Sequence, residues 1–158
     1  MFGHWEHGPD NNPVSTDNVI KAPYMTQFMA RPFYIGMPSV TTAAGGRTFL
    51  AIGHIAHHRR EWKTLNRLIA RNGYNGMPLC QRKLPELYLV HRSAFIATPD
   101  TFHMIDGDRC LLLDAQTGQE QGEIRIEGLP GEWKWMAMDD GVLYVPVSYT
   151  HLRAHETE

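Results

Sequence analysis

The sequence has no stretch of about 18 apolar residues, the length a helix needs to cross a bilayer. Its first residues, MFGHWEHGPDNN, lack the apolar segment of a signal peptide. Either the mature protein is cytoplasmic, or Met1 is not the start of the natural gene. Cysteine is scarce: Cys80 and Cys110 are too few for a disulfide framework and form no CxxC pair. They are expected to pack as small buried hydrophobes. Excess charge is missing too. Fifteen Lys and Arg against 17 Asp and Glu leave a net charge of −2, which gives no reason to expect a nucleic-acid or membrane-surface partner. There is no nucleophile elbow, P-loop, HExxH pair or dinucleotide fingerprint, and GGRTFLAIG (45–53) lacks the required glycine spacing.

What the 158 residues do contain is punctuation. Fourteen Gly and ten Pro break the chain into short runs rich in Val, Ile, Leu, Phe and Tyr. Such spacing favours many short strands over long helices. The expected strands are 38–43, 47–52, 65–71, 78–84, 93–98, 101–106, 109–114, 121–126, 133–138 and 141–146. AGGR, TPDT, DGDR and MDDG separate several of them as hairpin turns. WKWMAM (133–138) alternates with period two and carries apolar bulk on both faces, which predicts a strand covered on both sides. Residues 56–70 place Trp62, Leu65, Leu68 and Ile69 at helical spacing. The repeat described next favours a strand for the second half of that segment.

LIARNGYNGMPLCQRKLP and LLLDAQTGQEQGEIRIEGLP share one pattern: an apolar run, a polar residue, a turn containing Asn-Gly or Thr-Gly, then a second extended run. The turn glycines, Gly76 and Gly118, are 42 residues apart. Upstream, Thr101 in PDTFHMI and Val142 in DDGVLYV are 41 apart. Both intervals suit one four-stranded propeller blade, which takes about 40–45 residues. The interval from Thr48 to Thr101 is 53, so the first unit carries extra residues, which fall in GHIAHHRREWK (53–63). Gly tolerates the positive φ of such turns, and Asp114 is positioned to cap the second one.

Asp114, Ala115, Thr117 and Gly118 make this repeat resemble that of the pyrroloquinoline-quinone (PQQ)-like, or quinoprotein-like, β-propellers. Ala70, Asn72, Asn75 and Gly76 match it more weakly, and HWEHGPDNNPVS is similar to the opening segment of such propellers. The resemblance implies an all-β fold, here a partial propeller of two to three blades over 1–86, 87–128 and 129–146. It implies the remaining blades of a ring of about eight as partners. It also implies a periplasmic or other extracytoplasmic setting, and a parent protein that binds a protein or small molecule. The alternative is a quinone-dependent alcohol or sugar dehydrogenase, with PQQ held by calcium at the ring's centre. One position departs from the family. The Trp that docks one blade on the next is replaced by Cys80 and Gly122, so docking is expected to use other bulk, such as Trp133 and Trp135.

The sharpest chemical cluster is His54, His57 and His58, followed by Arg59, Arg60 and Glu61. On a helix His54 and His58 would share a face, as metal ligands do; the alternative is a solvated polar loop. His4 and His7 flank Trp5 and Glu6 in what reads as a polar turn. Asp106, Asp108, Asp139 and Asp140 look like acid pairs, but their DGD and DDG contexts point to turn chemistry. Trp133 and Trp135 could stack a ring cofactor, or belong to the core.

The chain closes on VSYTHLRAHETE (147–158). Val147 to Thr157 resemble the conceptual translation of a transposase sequencing adapter, with the join inside the codon for Pro146. This predicts that 147–158 is a non-native tail, that His151, Arg153, His155 and Glu156 form no site, and that the gene breaks off in its third blade. The tail is expected to be extended or irregular, and exposed.

Overall fold

A computed structural model describes residues 39–56, 58–128, 131–148 and 151–156, with His4, Pro9 and Val19; for Ser39, Arg92, 147–148 and 151–156 it describes backbone alone. The architecture is all-β, a partial propeller of three antiparallel sheets. Sheet 1 holds β1 (Ser39–Ala44), β2 (Arg47–Ile52), β3 (Arg67–Asn72) and β4 (Pro78–Lys83) in chain order. Sheet 2 repeats it with β5 (Phe95–Ala97), β6 (Thr101–Asp106), β7 (Arg109–Asp114) and β8 (Glu120–Arg125). Sheet 3 holds β9 (Ala137–Asp139), β10 (Val142–Ser148) and β11 (His151–Glu156).

The 42-residue repeat survives in three dimensions. β3 and β7 start 42 residues apart, as do β4 and β8. Each third strand shifts register against its fourth at an equivalent place, between Ala70 and Arg71 and between Leu112 and Leu113. The turns that follow are built alike. Asn72 Oδ1 accepts the N–H groups of Tyr74 (2.8 Å) and Asn75 (3.2 Å). Asp114 Oδ1 accepts those of Gln116 (3.0 Å) and Thr117 (2.7 Å), and the Thr117 hydroxyl at 2.8 Å. The main-chain N–H groups of Gly76 and Gly118 donate to the carbonyls of Asn72 and Asp114, both at 2.8 Å. Both glycines take φ near +70°, where a side chain is strained. In each four-stranded sheet the turn after the third strand is bonded to the turn after the first: Gly73 N–H donates to Gly46 O and Ala115 N–H to Asp100 O.

Alternation along the strands makes the core. Val40, Ala44, Phe49, Ala51, Leu68 and Ala70 of sheet 1 belong to one buried cluster with Phe95, Phe102, Met104, Leu111 and Leu113 of sheet 2. Phe49 stacks on Phe102 with ring centres 4.7 Å apart, and Phe102 on Phe95 at 5.7 Å. The same cluster includes Trp133, Met136, Leu143 and Val145. A smaller one joins Leu50, Ile52 and Ile69, with Leu65 against it.

Three expectations are corrected. WKWMAM is not a strand throughout: 132–136 is irregular and β9 begins at Ala137. The Trp133 N–H donates to Gly107 O and the Met136 N–H to Ser93 O, so tertiary bonds replace a ladder. The first half of 56–70 is a short 3-10 turn, Arg59–Glu61, where a longer helix was predicted from periodicity. Blade docking, in turn, does use Cys80. A Cβ built on Gly118 would lie 2.9 Å from Cys80 Sγ, so the thiol packs on the bare face of the next sheet's turn. The tail backbone is extended, as expected, because β11 pairs antiparallel with β10.

Gly118→Ala should lower stability by about 1–3 kcal/mol through positive φ and the collision with Cys80. Pairing it with Cys80→Gly should recover the collision part alone. Urea midpoints of the unaltered chain and the two variants check this, and an unchanged midpoint in Gly118→Ala would refute the docking role of that turn.

Candidate functional site

The segment from Leu84 to Ala94 carries the chain from sheet 1 to sheet 2 and divides two clefts. Asn66, itself at φ +55°, fastens its start: Nδ2 donates to Leu84 O (3.1 Å) and Pro85 O (3.0 Å). The Tyr88 N–H donates to Pro85 O at 3.2 Å, which makes Pro85–Tyr88 a turn. Its third residue is Leu87, at φ +60° and 83% exposed. Tyr88 points inward, donates its hydroxyl to Ile105 O at 2.5 Å and lies against Phe95. Burial, with Asp106 adding to it, raises its ionisation far above the ordinary phenol range.

The larger cleft, about 330 Å³, has Leu84, Met104 and Leu111 as apolar lining and Arg82, Asp106, Arg109 and Glu120 as charges. Arg82 bridges the two sheets to Glu120 at 3.0 Å. Arg109 holds Asp106 at 2.7 Å and also pairs with Glu123. Arg125 pairs with Glu123 at 2.7 Å and with Asp108 at 3.0 Å. Hydrogen bonds from Arg125 and Arg109 hold the Glu123 carboxyl below its usual range. The carboxylates of this ladder are committed to guanidinium groups, so the arrangement offers fixed charge for recognition rather than a base ready to take a proton. The smaller cleft, about 220 Å³, lies against Tyr88, His91, Ile105, Glu132 and Trp133.

The helix that would put His54 and His58 on one face does not form. Residues 53–56 and 58 are irregular, so His54 and His58 share no helix face; both are exposed, and His57 lies outside the described residues. Among the described residues no three His, Cys, Asp or Glu side chains stand together as metal ligands. Trp133 is 2% exposed and offers no open face for a ring; Trp135 is half-buried. Of the four acids in DGD and DDG, Asp108 stands in a turn beside Gly107, and Asp140, at φ +47°, in a turn before Gly141. Cys110 is buried and its thiol is pushed up to about 12, while Cys80 is half-buried. His4 Nε2 accepts the Met138 N–H at 3.0 Å, whereas His7 is outside the described residues.

Sequence reasoning missed His103. It sits in TFHMID as one more strand residue, yet it is 5% exposed and its Nδ1 lacks a partner among the described residues. Burial pushes its pKa down to about 4, and nearby His4 adds to the effect. Tyr88 was missed as well; a lone Tyr in ELYLV gives no sign of which carbonyl it will reach.

No family model matches this chain, and no curated protein resembles it in sequence. Among solved structures it is similar to BamB from Moraxella catarrhalis, with a TM-score of 0.45 and 17% identity. The overlap covers 74% of this chain and 32% of that one, so the chain spans about a third of that protein's length. The fold assignment stands on the chain's own sheets and repeat. No helix among the described residues is long and apolar enough to cross a membrane.

His103 is neutral when folded and titrates near its ordinary value when unfolded, so the unfolded state binds more protons in between. Stability should therefore be level above about pH 6.5 and fall by about 3 kcal/mol as pH drops towards 4. His91, lowered by burial, acts in the same direction. Urea unfolding from pH 4 to 8 should show this slope, much reduced in His103→Leu; an equal slope in both proteins would refute the assignment.

Proposed function

We propose that the chain is part of a quinoprotein-like propeller that works as a binding scaffold, its ligand a protein segment or small molecule held between blades. The observation that carries the reading is the inter-sheet cleft, in which apolar Leu84, Met104 and Leu111 lie beside arginines already oriented by carboxylates. Such pre-organised charge beside apolar lining suits recognition. The remaining blades of the ring are the structural partners of this reading, and an extracytoplasmic setting goes with it.

Displayed random heptapeptides selected on the immobilised chain should enrich sequences whose binding weakens at least about tenfold in Arg109→Ala. Enrichment indifferent to Arg109→Ala and Arg82→Ala would remove the cleft from the reading. The dehydrogenase alternative predicts that calcium and PQQ produce a bound chromophore and dye reduction with alcohols or sugars. The scaffold reading expects neither, and turnover would overturn it.

The match of 147–157 to translated adapter DNA leads us to read 147–158 as foreign to the blade, with β11 ordered by the register of β10. Source DNA amplified across the Pro146 codon should encode a different continuation. The same continuation would refute this.

A further inference from the structure

The two copies of the blade differ most in one connection. β6 and β7 are joined by Gly107 and Asp108 alone, whereas β2 and β3 are joined by residues 53–66. A two-residue turn suffices to make this blade, so the added residues answer to something other than its folding. They are strongly one-sided in charge. Arg59, Arg60 and Lys63 are exposed, with His54 and His58 beside them, while the acid of the segment, Glu61, is 2% exposed. Two large apolar side chains stand among these cations: Trp62 is 64% exposed and Ile55 is 49% exposed. The Arg59 guanidinium lies over the Trp62 ring, 5.9 Å from its centre, so cation and indole are presented together. The insertion rises from the end of sheet 1 where the chain crosses to sheet 2, since Asn66 binds Leu84 and Pro85 there. Exposed Leu87 and Leu89 belong to that same crossing, with Lys83 and Glu86 near them.

We propose that the insertion 54–63 is a peripheral docking surface for an anionic lipid bilayer, with Trp62 and Ile55 entering the headgroup region and Arg59, Arg60 and Lys63 facing lipid phosphates. An indole is amphipathic and settles at the boundary between headgroups and acyl chains. Basic residues near an anionic leaflet each add attraction worth about a fivefold gain in binding. A loop that presents its apolar groups outward among cations matches a charged lipid surface better than an acidic peptide, which would call for a cleft. The whole-chain charge of −2 conceals this because the cations are gathered in one added segment.

The test uses the full chain with vesicles of phosphatidylcholine alone and of phosphatidylcholine with about 30% phosphatidylglycerol, at about 0.1 M salt. Flotation should carry the protein with the anionic vesicles only. Brominated lipid should quench fluorescence that is absent from Trp62→Phe. Arg59→Gln with Lys63→Gln should weaken binding at least about tenfold, and Trp62→Ala by a similar factor, with circular dichroism unchanged. Equal binding to both vesicle types, binding unaffected by these substitutions, or capture by polyglutamate without quenching by bilayer bromine would each overturn the proposal. The last outcome would assign the surface to acidic protein segments.

Discussion

The stack of sheets depends on how closely one blade's fourth strand can approach the next blade's turn. Cys80 meets the bare Cα of Gly118 at a distance that leaves no room for a methyl group. That closeness lets Phe49 and Phe102 stack and Leu111 and Leu113 reach the sheet 1 cluster. The turn can present a bare face because its shape comes from polar atoms elsewhere. Asp114 takes up the N–H groups of Gln116 and Thr117, and those bonds depress its own ionisation. Asn72 performs the same function in sheet 1 without a charge. Turn chemistry therefore sets inter-blade distance, and inter-blade distance sets the core. Where the family resemblance implies a docking Trp, a thiol serves here because the approach is short.

Charge is arranged around that core by depth. On the surface, Arg82, Arg109, Arg125, Asp106, Asp108, Glu120 and Glu123 form ion pairs in partial contact with water, where each adds little stability. Their greater effect is to cover β8, an edge strand of sheet 2 among the described residues, with charge that discourages pairing with another chain. Inside, the titratable groups are held neutral instead: His103 and Cys110 are shifted by burial towards their uncharged forms. The interior of sheet 2 thus has a sensitivity to acid that its surface lacks.

The repeat was legible in the sequence because its turns follow local rules. Asn-Gly and Thr-Gly, with Asn72 and Asp114 upstream, specify the same turn wherever they stand, and strands β2, β6 and β7 begin and end where composition places them. The misreadings share a different cause. WKWMAM alternates perfectly, but Trp133 and Met136 spend their N–H groups on Gly107 and Ser93, partners no local pattern reveals. The helical spacing of 56–70 arose where a loop joins a strand, since Trp62 faces water and Leu68 the core. The crossing 84–94 was invisible for the same reason. Its shape follows from Tyr88 reaching Ile105 and from Asn66 holding Pro85, both tertiary choices.

A chain that contains its own repeat supplies its own control. Where the two copies agree, as at Asn72 and Asp114 or Gly76 and Gly118, the agreement identifies what a blade requires. Where they differ, the blade requirement is relaxed and another constraint can act. Cys80 is answered by Gly122, so the docking thiol belongs to the junction of sheets 1 and 2 and is not shared by both copies of the repeat. Residues 53–66 are answered by two turn residues, so neither Trp62 nor the cations around it are needed to close β2 onto β3. An exposed indole is an aggregation hazard that a bare turn would avoid. Its retention among cations on the one enlarged connection indicates a constraint imposed from outside the fold.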